Sequence, residues 1–138
     1  MKQINQINKT GVWIDYDKAY VIRLSKGKEQ LKRIDSNIEH FNLKGGSRSK
    51  VSYGPQDNVS ESKLLARKKQ QQSSFFTKII EVLNPQDQII VFGPATAKIG
   101  LKKVLEQHPL FRQNDISIES SDSMTENQMK AWIRNYEA

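Results

Sequence analysis

The sequence predicts an α/β domain in which helices cover a mixed β-sheet, and three observations predict it. β-branched and aromatic runs separated by turn residues open the chain, apolar residues then recur at helical spacing, and a short unbroken apolar run follows that suits a strand buried on both faces. At 138 residues there is room for one domain, spanning 1–138, because two halves would each be too small to bury much surface.

Gly11-Val-Trp-Ile-Asp-Tyr16 reads as the first strand, Asp15 to Lys18 as a turn, and Ala19 to Leu24 as the second strand of a hairpin. Ser25-Lys-Gly-Lys28 offers a second turn. From Leu31 to His40 polar and apolar residues interleave so that Ile34 and Ile38 share a face, which predicts a third, longer and partly exposed strand. Between Asn42 and Ser60 the pattern gives way to Gly, Ser, Asn, Pro and charge, with Gly45-Gly46 and Gly54-Pro55 as breakers, so a long loop is expected over about 42–60. A loop of that length inside a small domain points to function.

Ser60 reads as a helix N-cap with Glu61 in the first turn. Leu64, Leu65, Phe75, Phe76, Ile79, Ile80 and Leu83 continue the helix until Asn84-Pro85 stops it. No apolar residue occurs from Arg67 to Ser74, so the first half of the helix is expected to project into solvent or onto a partner while Phe75 to Leu83 packs. Gln88-Ile-Ile-Val-Phe92 is the buried strand. Gly93-Pro94 opens a helix carrying Ile99, Leu101, Val104 and Leu105, with Pro94 in its first turn. Ile116 and Ile118 mark a brief strand, and Ser123 with Glu126 supplies a capping box for a last helix bearing Met129, Trp132, Ile133 and Tyr136. The order is βββ-α-β-α-β-α, which is the ribonuclease H-like arrangement.

Charge is polarised along the chain. The net charge is +7, and between Phe41 and Ile80 eight basic residues face only Asp57 and Glu61, a local net of +6. From His108 onward the balance reverses to −2. A basic stretch of this kind attracts a phosphate backbone, and an anionic membrane or an acidic protein as well. With no cysteine and two separated histidines, neither a disulfide framework nor a metal site is expected, and no cofactor is implied. No apolar run approaches the roughly 20 residues of a membrane helix, and the polar start is unlike a signal peptide, so a cytoplasmic protein without membrane contact is expected.

Four constellations are candidates for chemistry. In Lys44-Gly-Gly-Ser-Arg-Ser-Lys50, Gly45 and Gly46 permit close backbone approach while Lys44, Arg48 and Lys50 supply charge-assisted hydrogen bonds to phosphates; a solvated linker has the same look. The following helix adds Lys63, Arg67, Lys68 and Lys69, whose bland reading is a solvated face; adjacency to the loop is what favours RNA. Gly93, Thr96 and Lys98 at a strand-to-helix turn form a possible phosphate site without the P-loop spacing, the alternative being an ordinary turn. Asp15 ends the first strand where ribonuclease H-like nucleases place a metal-binding carboxylate, yet Glu39, Asp87, Glu119 and Asp122 fall in no metal motif.

Gly45 to Lys50, the basic helix running to Phe75-Phe-Thr-Lys-Ile-Ile80, and Ile89-Ile-Val-Phe-Gly-Pro-Ala-Thr-Ala-Lys98 resemble the middle domain of the archaeal and eukaryotic class-one peptide-chain release factor and of Pelota. The resemblance runs from Gly11 to about Tyr136. It is closer still to short bacterial stand-alone versions of that domain, through Gly45 to Lys50 and Tyr53-Gly-Pro-Gln-Asp57. It implies a ribonuclease H-like fold of the translational machinery component type without nuclease chemistry, a ribosomal partner (rRNA or tRNA), and a loop aimed at the peptidyl-transferase centre. The chain departs from the release factor at Ser47, which stands where that family has Gln after Gly-Gly. Binding is therefore favoured over release, in ribosome rescue, quality control or hibernation. The rivals are a peptidyl-tRNA esterase using Gly45, Gly46 and Ser47 to position water, and an adaptor whose basic loop binds an acidic protein or membrane surface. The oligomeric state is left open.

Overall fold

The computed structural model describes residues 8–38 and 61–136, together with the helical backbone of 54–60. Along the described residues run β1 (Lys9–Ile14), β2 (Lys18–Ser25), β3 (Lys28–Asp35), α1 (Gly54–Glu81), β4 (Gln88–Gly93), α2 (Ala97–Gln107), β5 (Ile116–Ser120) and α3 (Glu126–Asn135). The strands form one five-stranded sheet in the order β3-β2-β1-β4-β5. β1, β2 and β3 pair antiparallel, whereas β4 runs parallel to β1 and β5 parallel to β4.

Period-two alternation divides the core between the two faces of this mixed sheet. Val12, Ile14, Val21, Ile89, Val91 and Ile116 face α1 and α2, where Phe75, Phe76, Ile79, Leu83, Ala97, Leu101 and Leu105 meet them. Trp13, Tyr20, Ile22, Ile90 and Phe92 face α3, against Met129 and Ile133. Strands β1 and β4 are therefore apolar on both sides, which is why they read as unbroken runs. Edge strand β3 keeps Lys28, Lys32 and Arg33 exposed, and charges on an edge discourage further strand pairing.

Several boundaries differ from those the sequence predicts. Strand β3 ends at Asp35 and does not reach His40, because Asn37 turns the chain with φ 56 and the Ser36 hydroxyl donates to the Tyr16 carbonyl at 2.7 Å. Ile34 and Ile38 nevertheless pack in the same core cluster. Helix α1 starts at Gly54, so residues 54–60 of the expected loop are helical and Ser60 is not the cap. Gly54-Pro55 is a breaker inside a helix but suits its first turn, where proline lacks only an N–H that has no partner there anyway.

Pro94 lies outside α2, whose N-cap is Thr96. That helix buries one stripe, Ala97, Leu101 and Leu105, and leaves Ile99 and Val104 exposed at 44% and 37%. The capping box of α3 belongs to Thr125 and Gln128, not to Ser123 and Glu126: the Gln128 amide donates to Thr125 Oγ1 at 3.1 Å and the Thr125 amide to Gln128 Oε1 at 2.9 Å. Both pairs fit the pattern. The later start places Met124 just before the cap and Met129 four residues into the helix, a hydrophobic staple whose two members join the same cluster. Thr125→Ala is expected to cost about 1 kcal/mol and Ser123→Ala to stay within about 0.5 kcal/mol, read as shifts in the urea unfolding midpoint.

Candidate nucleic-acid interface

The C-terminal ends of the parallel strands define one end of the molecule, and the topology brings the candidate elements to it. Ile14 ends β1 beside Ala19, and Lys18 pairs with Asp35 at the end of β3. The chain therefore leaves Ile38 at this end. Helix α1 returns to the opposite end, where β4 begins, so the N-terminal part of α1 also lies at the first end. Phe76 packs against Gly100, only one turn into α2, which places Phe76 near the rim of the core.

No residue from 61 to 74 is buried. At 1.5 Å per residue that stretch extends roughly 20 Å. Burial of Phe75, Phe76, Ile79 and Leu83, worth roughly 1.5–3 kcal/mol each, anchors the C-terminal part of the helix. From Lys63 to Gln72 intrinsic propensity favours the helix too, because Leu, Ala, Lys, Arg and Gln are strong helix formers. Lys63, Arg67 and Lys69 are exposed and Lys68 is half-buried, so this part of α1 presents cations clear of the core. Lys44, Gly45, Gly46, Ser47, Arg48 and Lys50, with Glu39, lie outside the described residues.

Gly93, Thr96 and Lys98 all lie at the passage from β4 into α2. Thr96 Oγ1 shares a 2.7 Å hydrogen bond with the Tyr16 hydroxyl and makes no cap bond to its own helix. Lys98 Nζ donates to the Ala95 carbonyl at 2.7 Å. Gly93 adopts φ 152, and a Cβ there would run into the Ile14 carbonyl oxygen, so close passage of two strands accounts for the glycine.

Asp15 is spent on the β1–β2 turn. Its Oδ1 accepts from the amides of Asp17 and Lys18 at 2.8 and 2.9 Å, and its Oδ2 lies 3.7 Å from Lys18 Nζ. Asp87 sits just before β4, at the far end of the sheet from Asp15. Glu119 accepts from the Tyr136 hydroxyl at 3.0 Å, and Asp122 receives Trp13 Nε1 on its backbone carbonyl at 3.3 Å. Among the described residues no group of three or more His, Cys, Asp or Glu is placed to hold a metal ion, and no helix is long and apolar enough to cross a membrane.

Two arrangements escaped the reading of the sequence. The first fixes the point where the chain leaves β3: the Ser36 amide donates to the Asp17 carbonyl at 2.9 Å, its hydroxyl accepts from the Ile38 amide at 3.1 Å, and Ile38 is 5% exposed. The second is a buried carboxylate, Asp87, which accepts from Thr10 Oγ1 at 2.7 Å and from Arg23 Nε and Nη2 at 2.8 and 3.2 Å. That hydrogen bond, more than the charge, raises the Arg23 guanidinium pKa above its ordinary value. Nothing local in the sequence marks partners so far apart along the chain.

In comparisons with known proteins, no family model matches this chain, and no curated protein matches it.

Proposed function

We propose that this chain is an RNA-binding factor of the translation apparatus. In this reading it has a ribonuclease H-like fold without nuclease chemistry and acts in the cytoplasm on the ribosome, on rRNA or tRNA, in rescue, quality control or hibernation. The observation that carries the proposal is that α1 buries Phe75, Phe76, Ile79 and Leu83 while none of residues 61–74 is buried, with Lys63, Arg67 and Lys69 exposed and Lys68 half-buried. Four cations on two turns of helix that bury no residue suit a polyanion. The strand order β3-β2-β1-β4-β5 supports the fold assignment, and the commitment of Asp15 to a turn supports a role other than phosphodiester cleavage. Lys44 to Lys50 and the resemblance of that loop to the release-factor and Pelota domain supply the ribosome as partner.

The test is co-sedimentation with purified ribosomes across a salt series. Replacing Lys63, Arg67, Lys68 and Lys69 by glutamine removes up to four phosphate contacts and is expected to flatten the slope of log affinity against log salt by roughly 3. Arg48→Glu/Lys50→Glu is expected to weaken binding further. Binding that neither set of changes alters would defeat the proposal. Peptide released from stalled ribosomes, and lost on Gly46→Ala, would move the assignment to peptidyl-tRNA hydrolysis.

A further inference from the structure

The four cations of the projecting part of α1 are not on one side of it. At about 100° per residue, Lys63 and Arg67 fall about 40° apart on one strip, while Lys68 and Lys69 bracket Leu65 on another. The centres of the two strips are about 170° apart, so they lie on opposite sides of the helix. Leu65 is 61% exposed and Lys63, Arg67 and Lys69 are exposed, while Lys68 is half-buried.

Resting on the RNA reading above, we infer that α1 enters a cleft between two phosphate chains of a folded RNA and is held from both sides. A single strand crossing the helix would engage one strip and leave the other in water. An uninterrupted A-form duplex presents a deep major groove too narrow for protein side chains to read, let alone for a helix about 10–12 Å across with its side chains. A bulge or internal loop opens that groove, sets two phosphate walls beside the two strips, and frees an unstacked base whose apolar face can meet Leu65. The partner is thus an RNA with a widened groove or a junction.

The full chain is titrated with three RNAs of matched composition: a single strand, an uninterrupted duplex, and the same duplex carrying an internal bulge. The bulged RNA is expected to bind at least about tenfold tighter than either of the others. Lys63→Glu/Arg67→Glu and Lys68→Glu/Lys69→Glu are each expected to lower that affinity about tenfold or more, with circular dichroism unchanged because neither pair is part of the core. Equal affinity for all three RNAs overturns the inference, as does loss confined to one pair. Competition by polyglutamate as strong as by the bulged RNA at equal charge also overturns it, in favour of an acidic protein partner. Absence of binding to every RNA defeats the underlying RNA reading as well, whereas one-sided or unselective binding defeats only the cleft.

Discussion

Gly93→Ala is expected to lose at least about 3 kcal/mol of stability, a large fraction of the roughly 5–15 kcal/mol that holds a domain folded. Two separate costs combine. The backbone at Gly93 has φ 152, a conformation that side chains disfavour by about 1–3 kcal/mol. The new methyl would also be driven into the carbonyl oxygen of Ile14, with the Ile14 carbonyl carbon and amide nitrogen both 3.2 Å away. Those atoms belong to the central strand of the sheet and cannot rotate aside. Relief requires β1 and β4 to part where both are fully buried. Gly11 provides the control, since a Cβ there meets the Ile133 side chain and no backbone atom, so Gly11→Ala is expected to cost less. The measurement is the urea midpoint of both variants. A Gly93→Ala midpoint equal to that of the parent chain would show that Gly93 is not required for its packing.

What the sequence makes legible is whatever a single element decides for itself. Ile89 to Phe92 is apolar on every residue because both faces of β4 are covered. Likewise Phe75, Phe76, Ile79 and Leu83 repeat at helical spacing, and all four are buried. The absence of apolar residues from Arg67 to Ser74 matches the absence of buried ones. Boundaries are harder, because the same residues serve two purposes: Gly54-Pro55 breaks a helix or starts one, and Ser123 and Thr125 both head a capping pattern. In the second case the choice falls to Met124 and Met129, which join one cluster only once the helix lies on the sheet. Least legible are contacts between elements distant in the chain. Thr96 is a candidate phosphate ligand on local grounds, and the hydrogen bond its hydroxyl shares with Tyr16 reaches 80 residues along the chain.

Asp87→Ala tests the other long-range arrangement, and it separates stability from the proposed interface. The Asp87 side chain is 1% exposed and ties β1, β2 and the start of β4 together through Thr10 and Arg23. Removing one member of a buried charge pair costs about 3–5 kcal/mol because the other is left unpaired. Arg23 is 33% exposed and can turn part of its guanidinium to water, which lowers the expected loss to about 2–3 kcal/mol. Thr10, at 2% exposure, has no such escape and keeps an unmet hydroxyl. An apolar pair, Arg23→Met with Asp87→Leu, removes both charges together and is expected to recover most of that loss. A double-mutant cycle reads the coupling directly, and additive losses from the two single changes would mean that the pair does not act as a unit. Because Asp87 lies at the end of the sheet away from residues 61–74, each variant, once folded, is expected to bind RNA with the salt slope of the parent chain. A changed slope would mean that the basic helix depends on the far end of the sheet for its charge presentation.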